Sequence, residues 1–360
     1  MTIGILTYHY ALNCGAFLQG FALQEMLLNN GHKVEFVNYE NDRVNLAYKL
    51  FRRNQYNKRH PILCIQKLLN ELSRIKRYRI YRASLSEYLR ISERIQKKDI
   101  YDLTAYDVLI IGSDQLWNKK ITGGFDFFYC AQFEKKNGQK VIGYAISMNK
   151  PSLNDNEIED LKKIMTNFDC LSVRETTSAE LLQPLTEKKV NVVIDPTFLL
   201  SKEQWMKYVK PVKEKEYICC YPVLNQEKVK VRARIIAKSL KKELVILEPV
   251  ADGIAFSDGK KINSPFEFLS YMANADMVLT SSFHGTAFSL IMNKDFYILG
   301  DDKSNVRMKN FLGDLGLQDR IIPMEQDVDI NNHIDYVAVV KKLNNMISNS
   351  KRYLENAINS

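Results

Sequence analysis

The sequence predicts an α/β protein with two Rossmann-like domains, each built on a parallel sheet and facing the other across a central cleft. The chain has 360 residues, more than one hydrophobic core usually supports, so two domains are expected. Short apolar runs alternate with segments of helical periodicity in both halves, which is typical of parallel sheets covered by helices. Such sheets bind ligands beyond the carboxyl ends of their strands, so the cleft is the expected binding site.

The first half contains the first series of alternating elements. Ile3–Thr7 is a short apolar run, typical of a buried strand. From Gly15 to Asn30, apolar residues recur at helical spacing until Gly31 ends the pattern. The remaining elements predicted in this half are strands at Lys33–Tyr39, Asp107–Ile111, Lys140–Ala145, Cys170–Val173 and Val190–Ile194, with a helix near Asp155–Asn167.

The second half repeats the alternation. Ser264-Pro265-Phe266-Glu267 predicts a helix start, with an N-cap serine, proline at the first position and glutamate at the third. The other predicted elements are strands at Tyr217–Tyr221, Glu243–Leu247, Asp276–Thr280 and Phe296–Leu299, and helices at Gln226–Leu240, Gly285–Asn293, about 305–315 and Tyr336–Ile358.

The domain boundary is expected near residues 200–213. Ser201-Lys202-Glu203-Gln204 is a capping box, and Pro211 lies shortly before the second series. We therefore predict an N-terminal domain over residues 1–205 and a C-terminal domain over 206–360. The last helix is expected to pack back across the first domain.

A basic helical insert at about residues 42–100 interrupts the first domain. Residues 49–98 hold 15 Lys or Arg against 3 Glu, a local charge of +12 within a net charge of +9. The rest of the chain is therefore at −3, which argues against nucleic-acid binding by the body of the protein. Two interpretations of the insert are open. Its cationic helices contact an anionic membrane or a lipid-linked pyrophosphate, or they form a solvated hairpin packed on the domain.

Composition favours a cytoplasmic protein that requires no metal. No apolar run has the length of a membrane span, and the N-terminus has the pattern of a strand instead of a signal peptide. The six cysteines have no metal-type spacing, several of them fall inside predicted strands, and the five histidines are scattered. Reduced cysteines and no structural zinc are expected.

Four polar loops follow predicted strands and are expected to face the cleft. They are His9–Gly15, Gly112–Asn118, Arg174–Thr177 and Ser281–Thr286. Polar loops are usually only turns, but four of them at one cleft indicate a site. The fourth loop leads into a helix, whose first amides have no intrahelical partner and can bind an anion.

Two of these loops hold the strongest candidates for chemistry. His284 can move a proton beside a bound phosphate or carboxylate, although a lone histidine is more often a structural one. Arg174 can hold a carboxylate or phosphate in a bidentate manner. The alternative for Arg174 is that the capping-box pattern at 172–175 places it at an ordinary helix start.

Other polar residues have both a structural and a functional interpretation. Asp114 acts as a base or caps the following helix, and Trp117 is expected to pack in the core. Asp195-Pro196-Thr197 is expected to turn the chain between the domains, with a site role as the alternative. Arg307 reaches an anion or belongs to a solvated helix face.

Together these loops resemble the polysaccharide pyruvyl transferase family. The matching stretches, which occur in the family's order between about residues 3 and 320, are Asn13–Gln19 with Ala22-Leu23-Gln24, Ile110–Asn118, Gly143–Ser147, Ser172–Glu175, Asp195–Leu200 and Ser281–Ser289. The resemblance implies a fold similar to the GT-B glycosyltransferases, with phosphoenolpyruvate as donor and a sugar as acceptor. The product is then a cyclic pyruvate ketal of a surface glycan such as an exopolysaccharide, and no cofactor is implied.

The resemblance also implies roles for particular residues. Arg174 and His284 fall where the family holds its donor. The sequence departs from the family at Cys14, Gly143 and Met148, which puts the acceptor in doubt.

The chemistry of the donor then suggests which loop residues bind substrate and which transfer protons. Free amides and hydroxyls can bind the donor's anionic groups, while His284 is the candidate general acid and Asp114 the candidate base. Asn13 and Gln115 are expected to orient the sugar. The other residues predicted to bind substrate are Ser281, Ser282, Gly285, Thr286, Gly15, Gly112, Ser113 and Arg307.

Two other functions are compatible with the sequence. One is a nucleotide-sugar glycosyltransferase or epimerase of the same architecture, and the other is a non-catalytic sugar-binding protein. The acceptor sugar and its carrier, whether lipid, nucleotide or polymer, stay open.

Overall fold

A computed structural model describes residues 1–48, 75–76, 78–94, 100–150, 152–248, 259–300, 306–326 and 332–360. The first of its two sheets has seven strands in the order β3-β2-β1-β4-β5-β6-β7, and every neighbouring pair is parallel. The strands are β1 Thr2–Leu6, β2 Lys33–Asn38, β3 Ile91–Arg94, β4 Val108–Asp114, β5 Lys140–Ile146, β6 Cys170–Val173 and β7 Val190–Val192.

The second sheet has six strands in the order β10-β9-β8-β11-β12-β13, again all parallel. Its strands are β8 Tyr217–Tyr221, β9 Glu243–Glu248, β10 Lys260–Lys261, β11 Met277–Thr280, β12 Asp295–Leu299 and β13 Ile321–Ile322. The predicted fold class, two parallel α/β units facing a cleft, is confirmed. The short strands β3, β10 and β13 were not predicted, because two to four residues carry too little periodicity to be recognised.

Helices connect the strands. They are α1 Cys14–Asn29, α2 Asp42–Tyr48, α3 over residues 78–88, α4 Lys119–Thr122, α5 Asp155–Thr166, α6 Thr176–Leu182, α7 Lys202–Met206, α8 Gln226–Ser239, α9 Pro265–Asn274, α10 Phe283–Ile291, α11 Val306–Leu315 and α12 Tyr336–Asn359. The capping box that begins α7 is present. At α9, Ser264 caps the amide of Glu267 as predicted, but the Glu267 carboxylate accepts from the amide of Asn263 instead.

The two lobes share a continuous aromatic core. Phe21 of α1 in the first lobe lies 5.3 Å from Phe266 of α9 in the second, and 5.8 Å from Trp205. Trp205 in turn lies 5.1 Å from Phe288 of α10. Because large aromatic side chains bury much apolar area, this packing fixes α1 and α10 against each other. The starts of these two helices form facing walls of the cleft.

The C-terminal helix α12 returns to the first sheet. The Ser350 hydroxyl accepts the amide of Ile194 at 2.9 Å, and the Tyr353 hydroxyl donates to the carbonyl of Gly143 at 3.1 Å. At the end of the helix, Lys140 Nζ donates to the carbonyl of Ile358 at 3.0 Å. The helix thus ties the end of the chain to β5 and to the segment after β7.

Most of the basic insert lies outside the described residues, including 49–74 and 95–99. Its described part contains helix α3 and strand β3. Arg82 of α3 pairs with Glu40 after β2 at 3.3 Å, and the Tyr81 hydroxyl donates to the carbonyl of Asn13 at 2.7 Å. Membrane contact through residues 49–98 stays a prediction. Among the residues that the structure describes, no helix combines the length and apolarity that a membrane crossing requires.

Candidate active site at the interlobe cleft

The carboxyl ends of the two sheets border a cavity of about 750 Å³, a volume that includes space open to solvent. All four of the predicted polar loops come from strands that end at this cleft, and each contributes at least one residue to its lining. The lining residues are Asn13, Asp114, Gln115, Arg174, Tyr221, Val223, Leu224, Ser281, Ser282, Phe283, His284 and Met308. Seven of these twelve were singled out from the sequence, so the loops do converge.

Arg174 lies between β6 and α6 and is held on three sides. Its Nη2 donates to the Ser113 hydroxyl at 2.6 Å and lies 3.0 Å from Asp195 Oδ2. Its guanidinium carbon stands 4.9 Å from the ring centre of Phe283, a cation–π contact with the second lobe. The buried Nε has no hydrogen-bond partner among the described residues.

The capping-box interpretation of residues 172–175 is wrong. Ser172 belongs to strand β6, and its hydroxyl donates to the carbonyl of Gly143. Glu175 is the N-cap residue of α6 but makes no side-chain cap; its buried carboxylate accepts from the hydroxyls of Ser147 and Ser178. Arg174 therefore lines the cleft cavity and is not part of a helix cap.

Asp195 is the residue that sequence reasoning undervalued. Its Oδ1 accepts from the amide and the hydroxyl of Thr197, at 2.9 and 2.8 Å, which fixes the carboxylate as the cap of a short turn. Its Oδ2 is 3.0 Å from Arg174 Nη2 and 3.9 Å from His284 Nε2. The expected turn is present, and the same side chain also links the two lobes.

The charges of this cluster support one another. Burial alone would raise the pKa of Asp195, but Arg174, His284 and the Thr197 hydrogen bonds lower it below its ordinary value. Burial alone would lower the pKa of Arg174, but Asp195 and Asp114 raise it above its ordinary value. The cleft therefore holds a permanent ion pair, with an imidazole beside it.

His284 is positioned by close packing around the start of α10. A Cβ built on Gly15, at the start of α1, would overlap the imidazole ring, so the ring lies directly on the backbone of the opposite lobe. A Cβ on Gly285 would likewise overlap the Thr280 hydroxyl. Because both positions exclude a side chain, Gly15 and Gly285 shape the site without having to touch substrate.

The loop after β4 supports Arg174 from behind. A Cβ on Gly112 would overlap the carbonyl of Tyr144, and Gly112 has φ +134°. The buried Ser113 hydroxyl donates to the carbonyl of Ala145 at 3.1 Å while it accepts from Arg174. Asp114 follows with φ 87°, and its Oδ1 accepts the amide of Gln115 at 2.8 Å. Asp114 does not cap α4, whose N-cap is Asn118.

Several predicted hydroxyls are engaged in holding the second lobe together. Ser281 Oγ accepts the amides of Val223 and Leu224 and donates to the Leu224 carbonyl. Ser282 Oγ caps α10 by accepting the amide of Gly285, and the buried Thr286 hydroxyl donates to the Ser282 carbonyl. These three side chains shape the loop around His284.

The remaining candidates divide into those at the cavity and one outside the described atoms. Asn13 caps α1, with Oδ1 accepting the amides of Gly15 and Ala16, and it lines the cavity. Gln115 lines it too, with Oε1 accepting from Asn118. The side chain of Arg307 lies outside the described residues. Trp117 packs in the core against Phe168, as predicted.

A neighbouring cavity of about 740 Å³ lies on the other side of the Arg174–Phe283 contact, between α6, α11 and α12. Arg174, Asp195 and Phe283 are part of its wall. Among the described ranges, no cluster of three or more His, Cys, Asp or Glu side chains is arranged to hold a metal ion.

A family model described as polysaccharide pyruvyl transferase matches residues 13–303. No curated protein sequence matches the chain significantly.

Solved structures with similar folds include enzymes of sugar-nucleotide and glycan metabolism. UDP-GlcNAc 2-epimerase from Methanocaldococcus jannaschii is 12% identical with a TM-score of 0.48, over 96% of this chain and 93% of that one. The wall teichoic acid polymerase TagF is 12% identical with a TM-score of 0.45, over 99% and 86%. The glycosyltransferase SnogD from Streptomyces nogalater is 11% identical with a TM-score of 0.41, over 99% and 97%. Similarity at this level concerns general architecture only.

Proposed function

Because the chain belongs to the polysaccharide pyruvyl transferase family, we propose that it transfers the pyruvyl group of phosphoenolpyruvate onto two hydroxyls of a sugar acceptor, forming a cyclic ketal during surface-glycan biosynthesis. The family is one of transferases in polysaccharide biosynthesis. One observation carries the proposal: Arg174 from the first lobe and His284 from the second meet at the buried carboxylate of Asp195 in the cleft.

The cluster suits a small, strongly anionic donor. Phosphoenolpyruvate presents a carboxylate and a phosphate on one short carbon frame. The Arg174 guanidinium has a buried Nε–H without an acceptor in the part of the chain that the structure describes, and a bound oxyanion would supply that acceptor. Asp195 keeps the guanidinium in place, so little side-chain ordering is required when the donor binds.

The chemistry requires protons to move in a fixed order. In the proposed reaction, the protonated imidazole of His284 gives its proton to the terminal methylene carbon of the donor, which leaves the central carbon electrophilic. A first sugar hydroxyl adds to that carbon and loses its proton to a base. The bond from the central carbon to the phosphate oxygen then breaks, the second hydroxyl adds, and its proton leaves with the phosphate.

Asp195 favours the charged form of His284 by proximity. At 3.9 Å, Oδ2 and Nε2 are too far apart for a hydrogen bond, but a buried carboxylate at that distance stabilises an imidazolium. Asp114 is the proposed base at the acceptor hydroxyls, and Asn13 and Gln115 are proposed to orient the sugar, because all three line the same cavity.

Release of phosphate tests the proposal. Purified protein is incubated with phosphoenolpyruvate and with glycan fractions as acceptor, and inorganic phosphate and pyruvylated product are measured. We expect phosphate release that depends on acceptor, and thermal stabilisation by phosphoenolpyruvate but not by a panel of nucleotide sugars. Stabilisation by a nucleotide sugar alone would instead assign a glycosyltransferase or epimerase. The absence of turnover with every acceptor, together with sugar binding, would assign a non-catalytic protein.

The role of His284 is tested in the same assay. His284→Ala is expected to bind the donor with similar affinity and to lose turnover by about 10²–10⁴-fold, the usual contribution of a general acid. Near-normal turnover with intact donor binding would show that the proton comes from another group.

A further inference from the structure

Helix α8 carries an exposed apolar strip that starts at the cleft. Val231 and Ile235, one turn apart, are each 54% exposed. Leu224, just before the helix, is 45% exposed and lines the cleft cavity. Since successive helical residues are about 100° apart, Lys228 and Lys238 lie on the same side of α8 as Val231 and Ile235. We call Leu224, Lys228, Val231, Ile235 and Lys238 the α8 face.

The α8 face is separate from the side of the helix that packs on the sheet. The buried side contains Val229, Ala233, Ile236 and Ala237. Core packing is therefore complete without Val231 and Ile235. Two adjacent exposed aliphatic side chains, contiguous with a third, need another explanation.

Charge around the face is strongly positive. Residues 224–242 contain seven Lys or Arg and one Glu. Three of the cations are engaged by protein groups: Lys230 pairs with Glu248, Lys242 with Asp276, and Arg232 donates to the carbonyl of Gln326. Lys228, Lys238 and Lys241 are exposed around the strip, and the one acid in this range, Glu227, pairs with Lys230.

We propose that the α8 face docks on an anionic phospholipid bilayer and thereby presents the cleft to a lipid-linked sugar acceptor. The choice of a lipid-linked sugar as the acceptor rests on the proposed function. Aliphatic residues that enter the headgroup region, flanked by lysines that meet anionic lipid, are the pattern of a peripheral membrane helix. A protein partner fits less well, because lysine is depleted in protein–protein interfaces.

The geometry explains how docking would serve the reaction. The α8 face begins beside Leu224, which lines the cleft cavity, and continues along the helix at about 1.5 Å per residue. A membrane in contact with the face therefore lies beside the mouth of the cleft. The sugar of a carrier embedded in that membrane would reach Asn13 and Asp114 while its lipid stays in the bilayer.

Co-sedimentation with vesicles tests the proposal. The full-length protein is mixed with phosphatidylglycerol or phosphatidylcholine vesicles, and bound protein is measured as salt is raised. We expect binding to phosphatidylglycerol that weakens with salt, and little binding to phosphatidylcholine. A triple variant of the face, Lys228→Gln, Ile235→Gln and Lys238→Gln, is expected to bind at least about tenfold more weakly.

A matched triple variant on α12 is the control. Val337→Gln, Lys341→Gln and Lys342→Gln remove one exposed aliphatic residue and two exposed lysines, as the test variant does. Binding is expected to be unchanged. Melting temperatures of both variants check the fold. If the test variant does not fold, the double variant Lys228→Glu and Lys238→Glu, which changes exposed residues only, replaces it.

Three results would overturn the proposal. They are equal binding to neutral and anionic vesicles, equal loss in both triple variants, and a change of molecular mass without vesicles, which would assign the face to protein–protein contact. Turnover with a soluble acceptor separates this proposal from the proposed function. If the α8 variant loses vesicle binding but keeps full turnover with the soluble acceptor, both the membrane contact and the pyruvyl transfer are supported. If vesicle binding depends on the α8 face but no pyruvyl transfer occurs, only the proposed reaction is contradicted.

Discussion

Two buried ion pairs, one at the cleft and one inside the second lobe, have similar geometry and different surroundings. Arg174 and Asp195 approach to 3.0 Å with side chains 6% and 0% exposed. Lys230 and Glu248 approach to 2.9 Å with side chains 3% and 2% exposed. The first pair borders two cavities and lies beside His284 of the other lobe. The second joins α8 to β9 within one lobe, and neither of its residues is part of the lining described for those cavities.

The different surroundings of the two pairs show that burial of an ion pair does not by itself identify a functional site. A buried pair costs desolvation wherever it lies, and many such pairs are structural. The cleft pair differs in that its guanidinium retains a buried Nε–H without an acceptor among the described residues, and its carboxylate is shared with a histidine. Both pairs are therefore expected to affect stability, and only the first is expected to control activity as well.

The largest effect is expected for Asp195→Asn. The substitution keeps the shape of the side chain but removes the charge that holds Arg174 and stabilises protonated His284. We expect turnover to fall by at least about 100-fold, the lower end of what an acid–base group contributes. Steady-state assay of phosphate release measures it. As a positioning residue that favours the protonated form of the general acid His284, Asp195 should also shift the alkaline limb of the pH–rate profile to lower pH when its charge is removed. An unchanged profile with full turnover would place Asp195 outside the mechanism.

Lys230→Met is expected to have a large effect on stability instead of on turnover. The substitution leaves Glu248 buried without its lysine, which should lower the free energy of unfolding by about 3–5 kcal/mol. Urea denaturation measures the loss, and turnover per folded molecule should not change. Lys242→Gln, which breaks a half-exposed pair with Asp276, is the control and should cost less than about 1 kcal/mol. A loss of turnover in folded Lys230→Met would break the distinction between the two pairs.

The comparison also shows what the sequence could and could not predict. The fold was predictable because strand and helix periodicity are local, and the positions of Arg174 and His284 followed from loops at strand ends. The role of Asp195 was not, because its partners lie in other segments and, for His284, in the other lobe. A signal was nevertheless present: Asp195 also follows a predicted strand, Val190–Ile194, and so belongs to the same sheet edge as the four loops.

The two serines at the start of α10 show what residue type and position leave undetermined. Ser281 and Ser282 have the residue type and the position expected for anion binding, but their hydroxyls hold backbone groups of the second lobe. A sequence gives the chemical type of a side chain but not which neighbours already occupy it. Only the packed loop distinguishes a hydroxyl that binds backbone from one that faces the cavity.

In contrast to the two ion pairs, His9 is a buried ionisable side chain that is held in its neutral form. Burial lowers its pKa to about 4, partly opposed by a hydrogen bond to Thr7 and by Glu40. The unfolded chain therefore takes up the proton first as pH falls below about 6.5, and stability is lost from there until the pH nears the folded pKa. Between pH 7 and 4.5 we expect a loss of about 2–3 kcal/mol attributable to His9.

In His9→Gln, the loss of unfolding free energy between pH 7 and 4.5 should be smaller than in the unchanged protein by about 2–3 kcal/mol. Unfolding at both pH values measures it. His333→Gln, at an exposed histidine, is the control and should not reduce the loss. If both variants lose stability with pH as the unchanged protein does, His9 is not held neutral in the fold.

The smallest effect is expected for Gly15→Ala, which tests the contact between the lobes at the cleft. A methyl group at residue 15 would overlap the His284 ring, and the ring, at the end of a side chain, can move more readily than the start of α1. Displacement by about 1 Å can reduce turnover by up to about 100-fold, so we expect a loss of about 10- to 100-fold. The melting temperature should change little. Gly20→Ala in the same helix is the control, since its added methyl would meet Phe36 at 3.1 Å and Thr7 at 3.7 Å and would not approach His284. Similar turnover in the two variants would mean that the second lobe alone sets the position of His284. The first lobe would then contribute to the site through Arg174 and Asp195 without constraining the imidazole.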